Sequence, residues 1–199
     1  MKRSFKTIEI TYAAMFVALM AIGANITSWL PFLEVAGIPL SMGPFFCVLA
    51  GILLGSRLGA MSMFVYLLVG IAGAPVFAQF SSGMGAVLGS SGGFILSYIV
   101  TAFVVGLIVE KQAKPGLATF MTASFAGIIL IYFIGTTYMY FIVNYVVEAD
   151  MTYLAAWKIM AWFSVKDIVF TVLCAMIAPR LYNALNKSTK ISTINSKIA

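Results

Sequence analysis

Histidine is absent from this chain of 199 residues, and the chain has only two cysteines. Without histidine there is no imidazole for a metal site, for Ser–His or Cys–His catalysis, or for a histidine proton relay. Cys47 and Cys174 each lie alone inside an apolar run. We interpret them as packing residues rather than as a disulfide or metal ligands. The sequence therefore predicts no metal and no cofactor, and we do not expect an enzyme.

Charged residues are also scarce, at 9% of the chain against 62% apolar residues. A soluble domain averages about 25% charged residues, so this composition predicts an integral membrane protein. The net charge of +6 does not indicate nucleic-acid binding, because the basic residues lie between apolar runs and at the termini. We predict a single membrane domain over residues 1–182, followed by a polar cytoplasmic tail over residues 183–199.

The apolar runs predict an all-α fold, a bundle of six transmembrane helices in the cell membrane. The predicted spans are 9–30, 38–55, 58–75, 92–110, 117–146 and 153–181. The first run is too long for the apolar region of a signal peptide, so we expect it to be retained as a helix. With these six spans, nearly all of the 12 lysines and arginines fall on one side of the membrane. The positive-inside rule places that side, and both termini, in the cytoplasm.

An adjacent charged pair, Lys166 and Asp167, lies inside the last predicted span. A charge in a bilayer costs on the order of 2.5–3.5 kcal/mol, so such residues pair, line a cavity or hold a ligand. Neighbouring helical residues point about 100° apart, which predicts that these two are poorly placed to pair with each other. One pocket could use both, Lys166 for an anion and Asp167 for N–H donors. Alternatively, each has an interhelical partner and only holds the bundle together.

The segment 74–93 is uncharged and rich in glycine and serine. It is too apolar for a long solvated loop, so we expect it to fold back against the membrane face or to line a cavity. Ser90 and Ser91 precede two glycines that open a helix, whose N-terminus favours anions. Turns and close packing would explain the same glycines. No Lys-Ser or Lys-Thr follows, so this is not a phosphate loop.

Small residues share one face of the first span at Ala14, Ala18 and Ala21. Such a face allows helices to approach closely, either inside the bundle or against a partner protein in the membrane. A second set, Gly51, Gly55 and Gly59, ends the second span. Further polar and aromatic residues near the predicted outer side could belong to an interfacial belt or wall a pocket; they include Gln79, Tyr98 and Asn144.

The chain resembles the biotin-specific substrate-binding (S) component of the energy-coupling factor (ECF) transporters over nearly its whole length. The most specific part is Tyr66 to Tyr98, YLLVGIAGAPVFAQFSSGMGAVLGSSGGFILSY, which resembles that family's G-x-P-V-F-A segment and the G-P-T-G-G turn that follows it. Tyr132-x-x-Gly135 and Ala14-x-x-x-Ala18 also resemble family motifs. Asp167 matches an acid of the family's last span, whereas Phe170 stands where many members have lysine.

The resemblance implies a subunit that captures biotin with high affinity in a pocket opening outward, closed by the loops after the first and third spans. Asp167 would accept a hydrogen bond from a ureido N–H, and Lys166 would bind the carboxylate or the ureido oxygen. Other implied ligand contacts are Phe77, Gln79, Ser90, Ser91, Tyr98 and Asn144. Ala14 and Ala18 would dock on a membrane coupling subunit, which works with a pair of ATPase subunits.

Three alternatives stay open. The chain could be an S component for another vitamin, such as thiamine or riboflavin. It could be a stand-alone secondary transporter or facilitator with Asp167 as a proton-coupling acid, although the lack of an internal repeat disfavours that. It could also be an intramembrane enzyme with a Ser–Lys dyad such as Ser164 and Lys166, for which the chain offers little other machinery.

Overall fold

The computed structural model describes residues 7–29, 34–35, 38–39 and 41–198, with side chains described for residues 7–26, 28 and 41–185. Six α-helices account for most of this part of the chain. They are α1 (Thr7–Asn25), α2 (Gly43–Ile71), α3 (Gly83–Leu88), α4 (Gly92–Glu110), α5 (Leu117–Tyr145) and α6 (Tyr153–Ile198). Two short 3₁₀ turns, Ile26–Trp29 and Ala78–Phe80, complete the helical elements.

Five of these helices, all but α3, are long and apolar enough to cross a membrane. A chain in lipid has no water to satisfy its backbone N–H and C=O groups, so an apolar run forms a helix that satisfies them internally. Large apolar side chains accordingly stay on the outside of the bundle, as Ile129, Phe133 and Trp162 do. The predicted helical, multi-pass membrane bundle is confirmed.

Helix α2 contains two of the predicted spans because the chain bends sharply at Gly55. Gly55 has φ 80°, a left-handed conformation that glycine adopts without steric cost. A Cβ added to Gly59 would lie 3.2 Å from Cα of Gly51, a closeness that a straight helix does not allow. The two arms of α2, residues 43–54 and 56–71, therefore correspond to the spans predicted at 38–55 and 58–75.

Contacts between helix ends define two ends of the bundle. At the upper end, Asn25 of α1 is hydrogen-bonded to Phe80, and Tyr138 of α5 to the carbonyl of Val87. At the lower end, the Glu110 carboxylate accepts hydrogen bonds from the backbone N–H of Ser56 at 2.8 Å and from its hydroxyl at 2.7 Å. The described part of the chain thus crosses the bundle six times, with α2 contributing two crossings.

The connection between α1 and α2 includes a two-residue antiparallel ladder, Glu34–Val35 with Ile38–Pro39, which leaves the helical class of the fold unchanged. Helix α6 continues to Ile198, so the predicted tail prolongs the last helix. The basic residues Lys2, Arg3 and Lys6, on which the predicted orientation partly depends, lie outside the described residues.

Glycines at the helix crossings permit close packing inside the bundle. A Cβ on Gly51 would lie 2.7 Å from the Ala102 carbonyl oxygen, and one on Gly106 would overlap the backbone of Ser56. Gly51 and Gly59 are buried, so this glycine set serves internal packing. The lower end of α4 can approach the bend of α2 only because Gly106 has no side chain.

We predict that Gly106→Ala destabilises the fold by about 1–3 kcal/mol, the usual cost of overpacking a tight site. The added methyl meets backbone atoms of residues 55 and 56, which cannot rotate away. The measurement is the thermal unfolding midpoint in detergent. Gly85→Ala in α3 is the control, because nothing lies within 4 Å of its added Cβ. Equal midpoints for the two variants would contradict the close approach.

Candidate ligand-binding site

A cavity of about 200 Å³ opens at the upper end of the bundle, with walls from α2, α4, α5, α6 and the segment 77–91. By this measure one water needs about 10–15 Å³, so the space suits a small organic molecule. As predicted, the glycine-rich segment lines a cavity. The predicted ligand residues that line it are Phe77, Gln79, Ser90, Ser91, Tyr98, Lys166 and Asp167.

The predicted ligand residue Asn144 is not among the lining residues. Its side-chain amide donates to the carbonyls of Tyr140 and Met151, each at 3.0 Å, and its oxygen accepts from the Met151 N–H at 3.0 Å. The structure therefore gives Asn144 a role in joining the end of α5 to the segment before α6.

The charged centre of the cavity is Asp167, whose side chain is nearly buried. Its Oδ2 accepts a hydrogen bond from the Tyr132 hydroxyl at 2.6 Å, and its Oδ1 lies 2.8 Å from Nζ of Lys166. The prediction that Lys166 and Asp167 are poorly placed to pair is wrong. The four-carbon lysine side chain is long enough to bend back over its neighbour, although their Cβ atoms point apart.

Lys166 makes a second contact, with another residue that lines the cavity. Its Nζ donates a short hydrogen bond to the backbone carbonyl of Ser41, just ahead of α2. Lys166 thus connects α6 to the segment that follows the Glu34–Val35 and Ile38–Pro39 ladder. Of the loop after the first span that is predicted to close the pocket, residues 31–33 and 36–37 lie outside the described residues.

Aromatic rings form much of the remaining wall. Tyr66 and Phe77 meet edge to face with centroids 5.5 Å apart, and Phe94 and Tyr132 do so at 6.4 Å. A Cβ on Gly135 would overlap the Phe94 ring, which explains the Tyr132-x-x-Gly135 spacing. Such a wall suits an apolar ligand body, while the charged centre supplies polar contacts.

Sequence reasoning missed several wall residues, above all Tyr66, Tyr132 and Phe163. The sequence indicated Tyr132 only through the Tyr132-x-x-Gly135 motif, because helical periodicity does not distinguish a tyrosine that faces a cavity from one packed in the core. Among the side chains that the structure describes, no group of three histidines, cysteines or acids could hold a metal ion. The polar groups of the cavity include the Lys166 ammonium, the Asp167 carboxylate and the Tyr132 hydroxyl.

The predicted docking residues Ala14 and Ala18 are exposed on α1, whereas Phe16 and Met20 on its other side are buried in the core. An exposed stripe of small residues on a membrane helix leaves its backbone open to close approach by another helix. Ala21, the third member of the predicted stripe, is half-buried. The exposed part of the stripe is therefore Ala14 and Ala18.

Comparisons with known proteins identify relatives over nearly the whole chain. A model of the BioY family matches residues 1–187. BioYB of Bacillus subtilis is 50% identical over 188 residues, covering 94% of each chain. Biotin transporter BioY of Thermotoga maritima is 32% identical over 174 residues, covering 87% of this chain and 95% of its own. These relatives confirm the family resemblance seen in the sequence, and they are named as transporters rather than enzymes.

The fold also matches a solved structure. The crystal structure of the S-component for biotin from an ECF-type ABC transporter superposes with a TM-score of 0.78, covering 90% of this chain and 95% of that chain. The two sequences are 21% identical. At this level of identity the likeness establishes the shared helical fold.

We predict that Lys166→Met destabilises the ligand-free protein by about 1–3 kcal/mol, less than for a fully buried pair because the cavity is open to solvent. The Asp167 carboxylate would keep only the Tyr132 hydroxyl as a donor. Unfolding midpoints in detergent should therefore recover in Lys166→Met/Asp167→Asn, which removes the unpaired charge. A double variant that is less stable than Lys166→Met would contradict this reading of the pair.

Proposed function

Since this chain belongs to the BioY family, we propose that it is the biotin-capture subunit of an ATP-driven ECF importer. It binds biotin with high affinity at the outer face of the cell membrane. A membrane coupling subunit and a pair of ATPase subunits then energise release into the cell. The names of the relatives support biotin as the ligand, and the chain itself contains no nucleotide-binding loop.

The observation that carries this proposal is the carboxylate–lysine pair in an aromatic cavity. Biotin has a ureido ring with two N–H donors, an apolar body and a carboxylate. Each oxygen of Asp167 accepts one hydrogen bond from the protein and keeps a further lone pair. Asp167 can therefore accept ureido N–H groups without giving up Tyr132 or Lys166.

Lys166 supplies the complementary donor. An ammonium group has three N–H bonds, and the protein uses Lys166 for two contacts, with Asp167 and Ser41. The third can reach the ligand, either its carboxylate or its ureido oxygen. Phe77 and Tyr98 provide apolar contact for the ring body, while Gln79, Ser90 and Ser91 provide polar contact.

Charge placement supports an outward-opening cavity with cytoplasmic termini. The acids Glu148 and Asp150 follow α5 at the upper end, whereas Arg57, Lys111 and Arg180 lie toward the lower end. Basic residues are retained on the cytoplasmic side of membrane proteins. The upper end then faces outward, where a capture subunit meets its vitamin.

We expect the purified chain to bind biotin in a one-to-one complex in calorimetric titration, and Asp167→Asn to weaken binding by about 30-fold or more. The variant loses a charged acceptor and leaves Lys166 without its partner. Asp150→Asn is the matched control, since it makes the same chemical change in the exposed loop after α5. Thiamine and riboflavin are titrated alongside.

Absence of biotin binding by folded wild-type protein would overturn the choice of ligand. Binding of another vitamin from the panel would then assign the cavity to that molecule. Equal biotin affinity in Asp167→Asn and wild type would remove Asp167 from the site.

Docking on the coupling subunit is tested at the stripe of small residues on α1, Ala14 and Ala18. We expect Ala14→Trp and Ala18→Trp to abolish ATP-dependent biotin uptake while biotin binding is retained, because a bulky side chain prevents close helix approach. Uptake of labelled biotin is measured in cells that produce the coupling and ATPase subunits. Ile129→Trp is the control, an exposed apolar position on α5. Normal uptake by the α1 variants, or uptake without the ATPases, would contradict the proposed mechanism.

A further inference from the structure

Two consecutive residues in the turn beside the cavity have left-handed backbone conformations. Gln79 has φ 59° and Phe80 has φ 53°. Residues with a Cβ rarely adopt this region, because the Cβ then crowds the neighbouring carbonyl oxygen. A turn of this kind persists only where its surroundings hold it in place.

The side chain of Asn25, the last residue of α1, supplies such a hold. Its Oδ1 accepts a hydrogen bond from the Phe80 N–H at 2.6 Å, and its Nδ2 donates to the Val76 carbonyl at 3.3 Å. Nδ2 also donates to the Ala21 carbonyl within its own helix at 2.9 Å. One buried amide, anchored by α1, is therefore bonded to the chain both before the strained turn, at Val76, and within it, at Phe80.

The Gln79–Phe80 turn, to which Asn25 is hydrogen-bonded, forms part of the cavity wall. Phe77, Gln79 and Ser81 line the cavity, but Asn25 does not. Phe77 is fully buried against Tyr66 and fills the space beside Gly70, so the wall is fixed at that side. The Gln79 side has the strained backbone. Its Phe80 N–H is bonded to the Asn25 amide and its Gln79 N–H to the Ser28 hydroxyl, while bonds between Ser81 and residues 77 and 78 close the turn.

We propose that Asn25 is a positioning residue that slows ligand release by holding the Gln79–Phe80 turn against the cavity. The inference rests on the proposed function, because it assigns a further residue to the same binding site. Without Asn25 the turn relaxes toward ordinary backbone angles, and Gln79 leaves its place in the wall. Asn25 acts through the turn and makes no contact with the ligand.

The test is the rate at which labelled biotin leaves the purified full-length protein after unlabelled biotin is added in excess. We expect Asn25→Ala to raise the dissociation rate constant about tenfold, as for loss of a buried hydrogen-bonding partner. Adding Phe80→Gly to Asn25→Ala should bring the rate back to within about threefold of wild type, because glycine adopts positive φ without strain.

Two matched variants separate this role from general stabilisation. Glu148 has φ 55° in the loop after α5, so Glu148→Gly relieves the same kind of strain away from the cavity. Phe80→Ala removes the ring but keeps the strained conformation. Neither should rescue Asn25→Ala. An unchanged rate in Asn25→Ala, or equal rescue by Glu148→Gly, would overturn the proposal.

A measurement on the ligand-free protein distinguishes failure of this inference from failure of the proposed function. Amide hydrogen exchange of the peptide containing residues 77–81 should be faster in Asn25→Ala than in wild type and slowed again by Phe80→Gly. Unchanged exchange would show that Asn25 does not hold the turn. If wild-type protein bound no biotin, the proposed function would fail, and the exchange result would still decide whether Asn25 positions this wall.

Discussion

A carboxylate inside a membrane-spanning bundle constrains everything around it. Asp167 is nearly buried, and it is compatible with its surroundings because Tyr132 and Lys166 each supply a donor to a different oxygen. The Tyr132 bond joins α5 to α6, and the Lys166 bond to Ser41 extends the connection to the start of α2. The polar centre of the cavity is thus also a point at which three parts of the fold meet.

The part of the cavity wall formed by the segment 77–91 and the start of α4 depends on backbone geometry more than on charge. Gly92 and Gly93 lie so close to the Val87 carbonyl and the Tyr138 ring that no side chain would fit. This closeness holds α3 and α5 tightly against the start of α4. The Gln79–Phe80 turn completes the wall in a strained conformation held by Asn25. The cavity wall thus combines a closely packed part around Gly92 and Gly93 with the Gln79–Phe80 turn, which is held by a few hydrogen bonds.

Much of the site could be predicted from composition and motifs. Scarce charge made Lys166 and Asp167 conspicuous, and the glycine-rich segment marked a cavity wall. The pairing of Lys166 with Asp167 was predicted wrongly, because helical angles describe Cβ directions and ignore the length of a lysine side chain. Asn144 was grouped with the ligand residues by its polarity, but its amide joins α5 to the segment before α6. Tyr132 was not singled out as a partner of Asp167, because that contact spans 35 positions in sequence.

The sequence by itself determined that this protein is a helical membrane bundle and that its last helix carries a charged pair. Both follow from local composition, since an apolar run in lipid satisfies its backbone N–H and C=O groups by forming a helix. Only the tertiary structure decided which residues share the cavity, that Tyr132 and Lys166 divide the oxygens of Asp167, and that Asn25 grips the strained turn. The reason is that these contacts join residues far apart in sequence, whose meeting depends on how the helices pack.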